Sequence, residues 1–265
     1  MSMLKKLRIF LSKASIFTFF PNRTRTKRVE LLSFFRALNP IRTEIELVRI
    51  GGKNDGGYLV PNILQGIQGL ISPGVGNSIS FEIEIAKNIP GLLIDGTVNK
   101  PSKMPDNLEF LPKLLGGVDG ISLKQILDDY FPEMNNLVMQ MDIEGSEWEV
   151  LSKTNENDLS KFRIIIIEFH KLSLLLNREK FDQLFNPAIN KLLKLFTVVH
   201  LHCNNGGGFF YFQGIKLPRV IELTLLSKNF HQENYGRSVL PHELDESNLA
   251  SLPDLRLPKI ITSFK

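Results

Sequence analysis

The segment from Arg163 to Phe169, which reads RIIIIEF, constrains the fold more than any other stretch of the sequence. Four consecutive β-branched isoleucines favour a strand, and their unbroken run indicates that both faces of this strand are buried. Strands of this kind occur mostly in parallel sheets that helices cover on both sides. We therefore expect an α/β fold with this strand near its centre.

From Ile67 onward, short apolar runs alternate with longer amphipathic segments, which is the pattern of strands joined by crossover helices. We predict seven strands, at 67–71, 92–94, 108–111, 137–141, 163–169, 196–201 and 220–226. We predict helices at 80–88, 122–130, 146–152 and 178–195. Capping-box spacings at Ser122–Gln125 and Ser146–Glu149 open two of these helices.

The last two predicted strands are joined by a Gly-rich link (Asn204–Gly208, then Gly214), which favours a hairpin over another crossover helix. Five alternating units followed by a hairpin are typical of class I methyltransferases rather than dinucleotide dehydrogenases. The predicted fold is thus a Rossmann-like, seven-stranded, mostly parallel sheet with a C-terminal β-hairpin and helices on both faces. We divide the chain into a basic, helical N-terminal extension (1–48), this domain (49–228) and a C-terminal tail (229–265).

Composition narrows the class of protein. The 265 residues are 43% hydrophobic, enough for one sizeable core, and the net charge is +4. Eight lysines and arginines precede Glu30, so the remainder is near neutral, which argues against nucleic acid as a partner. The single cysteine, Cys203, excludes an intrachain disulfide and fits a reducing, cytoplasmic compartment.

The first twenty residues combine basic and aromatic side chains. We do not interpret residues 4–20 as a signal peptide, because Lys13 interrupts the apolar run and no small-residue cleavage site follows it. We expect a helix packed on the domain. The alternative is a basic amphipathic segment that contacts the inner face of a membrane.

Polar residues follow several of the predicted strands, at the sheet edge where ligands of open α/β sheets bind. Gly74 and Gly76 after the first strand allow a close approach of backbone to ligand. Asp95, at the end of the second strand and 21 residues after Gly74, is placed to accept hydrogen bonds from a ribose. The third glycine of a pyrophosphate loop is missing, which argues against a dinucleotide.

The segment Met141–Leu151, MDIEGSEWEVL, resembles the string that follows the fourth strand in FkbM-type methyltransferases. Four other segments resemble this family in the same order: Arg49–Tyr58, Gly74–Glu82, Glu168–His170 and His200–Asn205. The resemblance implies S-adenosylmethionine as the cofactor and a hydroxyl of a sugar or glycan as the acceptor. It also implies a cofactor site formed by Tyr58, Gly74, Gly76, Asn77, Asp95 and Asp142. The strand-two end, Ile-Asp-Gly-Thr, departs from the family's aromatic-Asp-Pro turn.

Acids and histidines at the ends of strands four to six are the candidates for chemistry, since an alcohol must lose its proton, or bind a metal, before it attacks a methyl group. We predict His170 as the general base, with Asp142, Glu168 and His202 as further catalytic residues. Alternatively, a divalent metal ion binds a set drawn from Asp142, Glu168, His170, His200 and His202.

Two competing functions differ in class. One is a nicotinamide-dependent oxidoreductase of Rossmann type, against which the missing glycine and the terminal hairpin both argue. The other is a non-catalytic binding module with a methyltransferase fold, against which the retained acids and histidines argue.

Overall fold

The computed structural model describes residues 24–76, 78–232 and 234–263. The prediction for residues 4–20 therefore lies outside the described residues, as does Asn77. No helix within the described ranges combines the length and the apolar character needed to cross a membrane.

A seven-stranded sheet forms the centre of the molecule, as predicted. Its strands are β3 (Gly69–Pro73), β4 (Gly91–Ile94), β5 (Leu108–Leu111), β6 (Leu137–Met141), β7 (Phe162–Phe169), β8 (Phe196–Cys203) and β11 (Ile221–Ser227). Their order across the sheet is β5-β4-β3-β6-β7-β11-β8. The first five run parallel, and β11 runs antiparallel between β7 and β8. This is the strand order of class I methyltransferases, so the predicted fold class is confirmed.

Two short hairpins were not predicted. One is formed by β1 (Leu47–Gly51) and β2 (Gly57–Pro61), and the other by β9 (Phe209–Phe212) and β10 (Ile215–Pro218). The first falls where the sequence resembles a loop, because glycines and polar residues dominate it. This hairpin packs on the sheet. The hydroxyl of Thr224 on β11 donates a hydrogen bond of 2.7 Å to the backbone oxygen of Leu59 on β2.

The helices connect and cover the strands. They are α1 (Arg28–Ala37), α2 (Ser80–Ile85), α3 (Leu123–Tyr130), α4 (Glu147–Lys153), α5 (Glu156–Leu159), α6 (Arg178–Lys180), α7 (Asn186–Leu195) and α8 (Lys259–Thr262). The helix predicted at 178–195 is not regular, because a π-helical turn, Phe181–Phe185, lies between α6 and α7. Two 3-10 turns, Leu172–Leu176 and Lys228–Phe230, follow β7 and β11.

The isoleucines of β7 alternate between two apolar cores. Ile165 and Ile167 face the core that α1, α3, α4 and α7 cover, whereas Ile164 and Ile166 face the core under α2 and the β1–β2 hairpin. All eight residues of β7 are buried. The prediction that this strand is buried on both faces is therefore confirmed.

One of the two predicted capping boxes is present. The hydroxyl of Ser122 accepts from the amide of Gln125, and the side chain of Gln125 accepts from the Ser122 amide. The second box, Ser146–Glu149, is wrong. Ser146 has helical dihedral angles and makes no side-chain cap. Instead Glu147 turns back and accepts from the amides of Ile143, at 3.2 Å, and Gly145, at 2.9 Å.

Candidate active site

Gly74 joins the ends of three central strands. Its amide donates to the carbonyl of Ile94 at 2.9 Å, and the amide of Asp142 donates to the carbonyl of Pro73 at 3.0 Å. Gly74 has φ +88°, and a Cβ built on it would lie 1.6 Å from the Asp142 carbonyl oxygen. Only glycine fits here, so this close approach fixes the β3–α2 loop against the end of β6.

A cleft of about 240 Å³ opens beside this contact. It is lined by Asp55, Gly56, Tyr58, Gly74, Gly76, Ser78, Phe81, Glu82, Gln140 and Asp142. Four of the six predicted cofactor residues, Tyr58, Gly74, Gly76 and Asp142, are therefore brought together. A Cβ at Gly76 would meet no heavy atom within 4 Å, so the backbone there is open to a ligand.

Asp95 directly follows β4, and the Ile94 carbonyl before it binds the Gly74 amide. Its Oδ1 accepts from the amide and from the hydroxyl of Thr97, both at 2.6 Å. The residue thus closes a local turn, as Asp-Gly sequences commonly do. The turn fixes the direction of the carboxylate at the end of the strand, and the ribose contact stays a prediction.

A second polar cluster lies at the ends of β6 and β7. The Nε2 atom of His170 is 3.7 Å from Oδ1 of Asp142, 3.8 Å from Oε2 of Glu144 and 4.0 Å from Oε1 of Glu168. Glu168 is 4% exposed, and its Oε1 also accepts a hydrogen bond from the side-chain amide of Asn204, at the end of β8. Nε2 of His170 thus faces three carboxylates, and the first of them also lines the cleft.

The orientation of His170 is set from its other side. Its Nδ1 lies 3.1 Å from Oε1 of Glu147, whose side chain is fully buried, and 3.1 Å from the Glu168 carbonyl. Both partners accept, so Nδ1 carries the proton and Nε2 is left to face the site. Trp148 adds a bond from its Nε1 to the His170 carbonyl, at 2.8 Å, and stacks on Phe169.

Burial and charge shift the proton affinities of this cluster. Burial raises the pKa of Asp142 to about 7, with the neighbouring carboxylates Glu144 and Glu147 adding to the rise and His170 opposing it. Burial, followed by the charge of Asp142, also raises the pKa of Glu168 well above its ordinary value. Burial lowers the pKa of His170, but the bond to Glu147 and the surrounding acids outweigh it and raise the pKa overall. His170 is therefore a stronger base than a free imidazole.

The same cluster offers metal ligands. Within the described part of the chain, Asp142, Glu168 and His170 are the group that places one ligand atom each within 4.8 Å of the others. Oδ1 of Asp142 is buried and has no hydrogen-bond partner among the described residues. Two carboxylates and one imidazole suit a divalent cation that leaves open positions for a substrate oxygen.

His200 and His202 lie apart from this group, since their ring nitrogens are not within 4.8 Å of the ligand atoms of all three of its members. β11 lies between β7 and β8 and places Glu222 between Glu168 and His202 in the register. Adjacent strands are about 4.8 Å apart, so two strand spacings separate Glu168 from His202. In this arrangement neither histidine belongs to the group of ligand atoms around Glu168, and their predicted roles in catalysis or metal binding stay predictions.

The two histidines instead hold the C-terminal tail. Nε2 of His200 is 2.8 Å from Oδ1 of Asp245, and Nε2 of His202 is 3.1 Å from Oδ1 of Asn248. Asn248 in turn donates to Glu222, which is buried. Burial alone would raise the pKa of Asp245, but the hydrogen bonds and charges of His200 and His202 outweigh burial and lower this pKa.

Several residues of the site were not predicted from the sequence. Glu147 was assigned to a helix start, and its contact with His170 depends on how α4 meets β7, which no local pattern reveals. The sequence does carry a signal for Glu222 and Gln140, because Glu222 is the one charged residue of β11 and Gln140 the one polar residue of β6. Cys203 is buried, and burial raises the pKa of its thiol to about 12, so it is no nucleophile.

Residues 117–208 match the family described as the methyltransferase FkbM domain. The matched segment contains β6, β7 and β8, and with them Asp142, Glu168 and His170. The resemblance inferred from the sequence is confirmed over this range. No curated protein matches the chain.

Two solved structures are similar to parts of the chain. A protein from Streptococcus thermophilus described as a hemolysin has a TM-score of 0.35 and 14% identity over 60% of this chain, and the match spans 58% of that protein. Methanococcus jannaschii fibrillarin, described as a pre-rRNA processing protein, has a TM-score of 0.38 and 11% identity, over 70% of this chain and 83% of that one. Both scores lie below 0.5, so the fold assignment rests on the strand order of this chain.

Proposed function

We propose that this chain, a methyltransferase by its fold and by its FkbM match over residues 117–208, transfers the methyl group of S-adenosylmethionine to a hydroxyl of a sugar or glycan. One observation carries the proposal. Asp142 lines the cleft beside the Gly74 loop and also lies 3.7 Å from Nε2 of His170. The proposed cofactor site and the proposed base therefore share a residue.

The cleft fits the cofactor in its chemistry. The Gly74 turn and the open backbone at Gly76 let a ligand approach the main chain, and a carboxylate at Asp142 can accept from an ammonium group. Asp95, at the end of the neighbouring strand, is the proposed partner of the ribose. When bound, S-adenosylmethionine supplies a methyl group on a positively charged sulfur, which an oxygen nucleophile can attack.

The side chains of the cluster supply the remaining chemistry. The acceptor hydroxyl gives its proton to Nε2 of His170, while Glu147 keeps Nδ1 protonated and the ring in place. The positive charge that develops on the ring is stabilised by the carboxylates of Glu147, Asp142 and Glu144. Holding the hydroxyl in line with the methyl group supplies much of the remaining rate.

A divalent metal ion at Asp142, Glu168 and His170 is the second candidate, favoured by the unpartnered Oδ1 atom of Asp142. Such an ion would bind the acceptor oxygen and lower its pKa, in place of a histidine base. We favour the base, because the contact with Glu147 orients His170 as a base requires.

The acceptor class follows from the family resemblance, and the polar side chains of Asn204 and Glu144 beside His170 are compatible with it. Nucleic acid is not proposed as a partner. Contact of the basic N-terminal segment with a membrane remains a separate proposal.

The direct test is mass spectrometry of candidate nucleotide-sugars and oligosaccharides after incubation with S-adenosylmethionine and the purified chain. We expect a mass increase of one methyl group that is absent with His170→Ala. Transfer to a protein or nucleic acid, and to none of the sugars, would contradict the acceptor class. Reduction of NAD would contradict the reaction.

A further inference from the structure

Four side chains form a buried hydrogen-bonded row along the wall of the cleft, which we call the Glu82–Tyr58 relay. Oε1 of Glu82 lies 2.7 Å from the hydroxyl of Ser72, which lies 2.9 Å from Oε1 of Gln140. Nε2 of Gln140 donates to the hydroxyl of Tyr58 at 3.0 Å. Each member is less than 8% exposed, and Tyr58, Gln140 and Glu82 line the cleft.

The number of available protons determines which partner donates in each hydrogen bond of the relay. Ser72 has one hydroxyl proton, but its neighbours on both sides are oxygen atoms, so one of them must donate to it. The amide of Gln140 cannot be that donor while its Nε2 faces Tyr58. A protonated Glu82 therefore donates to Ser72, Ser72 donates to Gln140, and Gln140 donates to Tyr58.

This order leaves the Tyr58 proton unused within the relay. The reverse order needs an ionised Glu82 and an inverted Gln140 amide, and it would direct the Tyr58 proton back into the protein. Burial favours the first order, because it raises the pKa of Glu82 by more than the bond from Ser72 lowers it. In the observed arrangement the cleft thus faces a hydroxyl that is free to donate.

We infer that Glu82 is a positioning residue, which as a neutral acid directs the Tyr58 hydroxyl to donate to the carboxylate of the cofactor's amino-acid part. The inference rests on the proposed function and deepens it. The lining residues named above include three acids and no lysine or arginine. An anionic carboxylate in such a cleft needs neutral donors, and Tyr58 is one that the protein has oriented by buried bonds.

The test compares two ligands by calorimetry. S-adenosylhomocysteine carries the amino-acid part, whereas 5′-methylthioadenosine lacks it. Tyr58→Phe should weaken S-adenosylhomocysteine binding about tenfold, as for one hydrogen bond to a charged group, and change methylthioadenosine binding less than about twofold. In Glu82→Met, Ser72 has no donor, so the Gln140 amide can adopt either orientation and the Tyr58 hydroxyl is no longer held in the donating direction. S-adenosylhomocysteine should therefore bind more weakly than to the wild type, but with a smaller loss than in Tyr58→Phe.

Glu82→Gln is the conservative variant. Its amide N–H can donate to Ser72 in the same direction as the neutral acid, so affinity should stay within about twofold of the wild type. Glu179→Met, at an exposed acid of α6 outside the cleft, controls for the loss of a carboxylate and should leave both affinities unchanged. Melting temperatures show that each variant is folded.

The outcomes separate the relay from the proposed function. If Glu82→Gln loses as much affinity as Glu82→Met, or if Tyr58→Phe weakens both ligands equally, the relay is wrong and the cofactor site stands. If the wild type binds neither ligand, the proposed function is wrong and the relay is wrong with it. Should Glu82→Met not fold, Tyr58→Phe and Glu82→Gln decide the matter.

Discussion

Oε1 of Glu147 lies 3.1 Å from Nδ1 of His170 and also accepts the amides of Ile143 and Gly145. One fully buried carboxylate thus closes the start of α4 and orients the imidazole at the end of β7. This arrangement ties the helix that follows β6 to the proposed base. Its energetic consequences can be measured.

Replacing Glu147 should weaken the base without removing it. In Glu147→Gln the carboxylate that raises the pKa of His170 is lost, so the acid limb of the pH profile of kcat/KM should move to lower pH. We expect kcat to fall about tenfold, whereas His170→Ala should cost about 10² to 10⁴. An unchanged acid limb in Glu147→Gln would show that His170 is not the group that titrates.

Asp142→Asn should stabilise the protein at alkaline pH while impairing it as an enzyme. Burial raises the pKa of Asp142 from 3.8 to about 7, so the folded protein holds a proton that the unfolded chain has lost. Stability therefore falls as pH rises from about 4 to 7, and the asparagine variant avoids this loss. We expect a melting temperature at pH 8 at least about 2 °C above the wild type, and no difference at pH 3. A variant that melts lower at pH 8 would contradict the account.

Alanine substitutions at three glycines with different surroundings distinguish an effect on folding from an effect on cofactor binding. Gly74→Ala should unfold the loop or shift β6, because its Cβ would overlap the Asp142 carbonyl. Gly117→Ala is the matched control, since Gly117 also has positive φ but no atom within 4 Å, and it should cost only about 1 kcal/mol. Gly76→Ala should melt like the wild type and bind S-adenosylmethionine more weakly. Equal melting temperatures for Gly74→Ala and Gly117→Ala would refute the close contact.

Chelation separates the two mechanisms at the cluster. With His170 as the base, EDTA should leave the rate within about twofold, and added Mg²⁺ or Mn²⁺ should not raise the melting temperature. A loss of more than about tenfold that Mn²⁺ restores, and that Glu168→Gln abolishes, would assign the site to a metal ion instead.

The sequence predicted the central sheet because its strands are short apolar runs whose burial is a local property. β7 is the clearest case, since four isoleucines permit few other environments. The β1–β2 hairpin was missed because Gly51, Gly52, Gly56 and Gly57 hide its alternation. The contacts of His200 with Asp245 and of His202 with Asn248 join residues far apart in the chain, so no local pattern reveals them. The role of Glu147 was hidden by a capping-box spacing that the folded chain does not use.

The central claim is that the cleft beside Gly74 binds S-adenosylmethionine. Trp148 is the single tryptophan of the chain, and it donates to the carbonyl of His170, so its fluorescence reports on this site. Titration followed by fluorescence and calorimetry should give one saturable site for S-adenosylmethionine, weakened in Gly76→Ala, and no binding of NAD. Saturable binding of NAD with no response to S-adenosylmethionine would contradict the account.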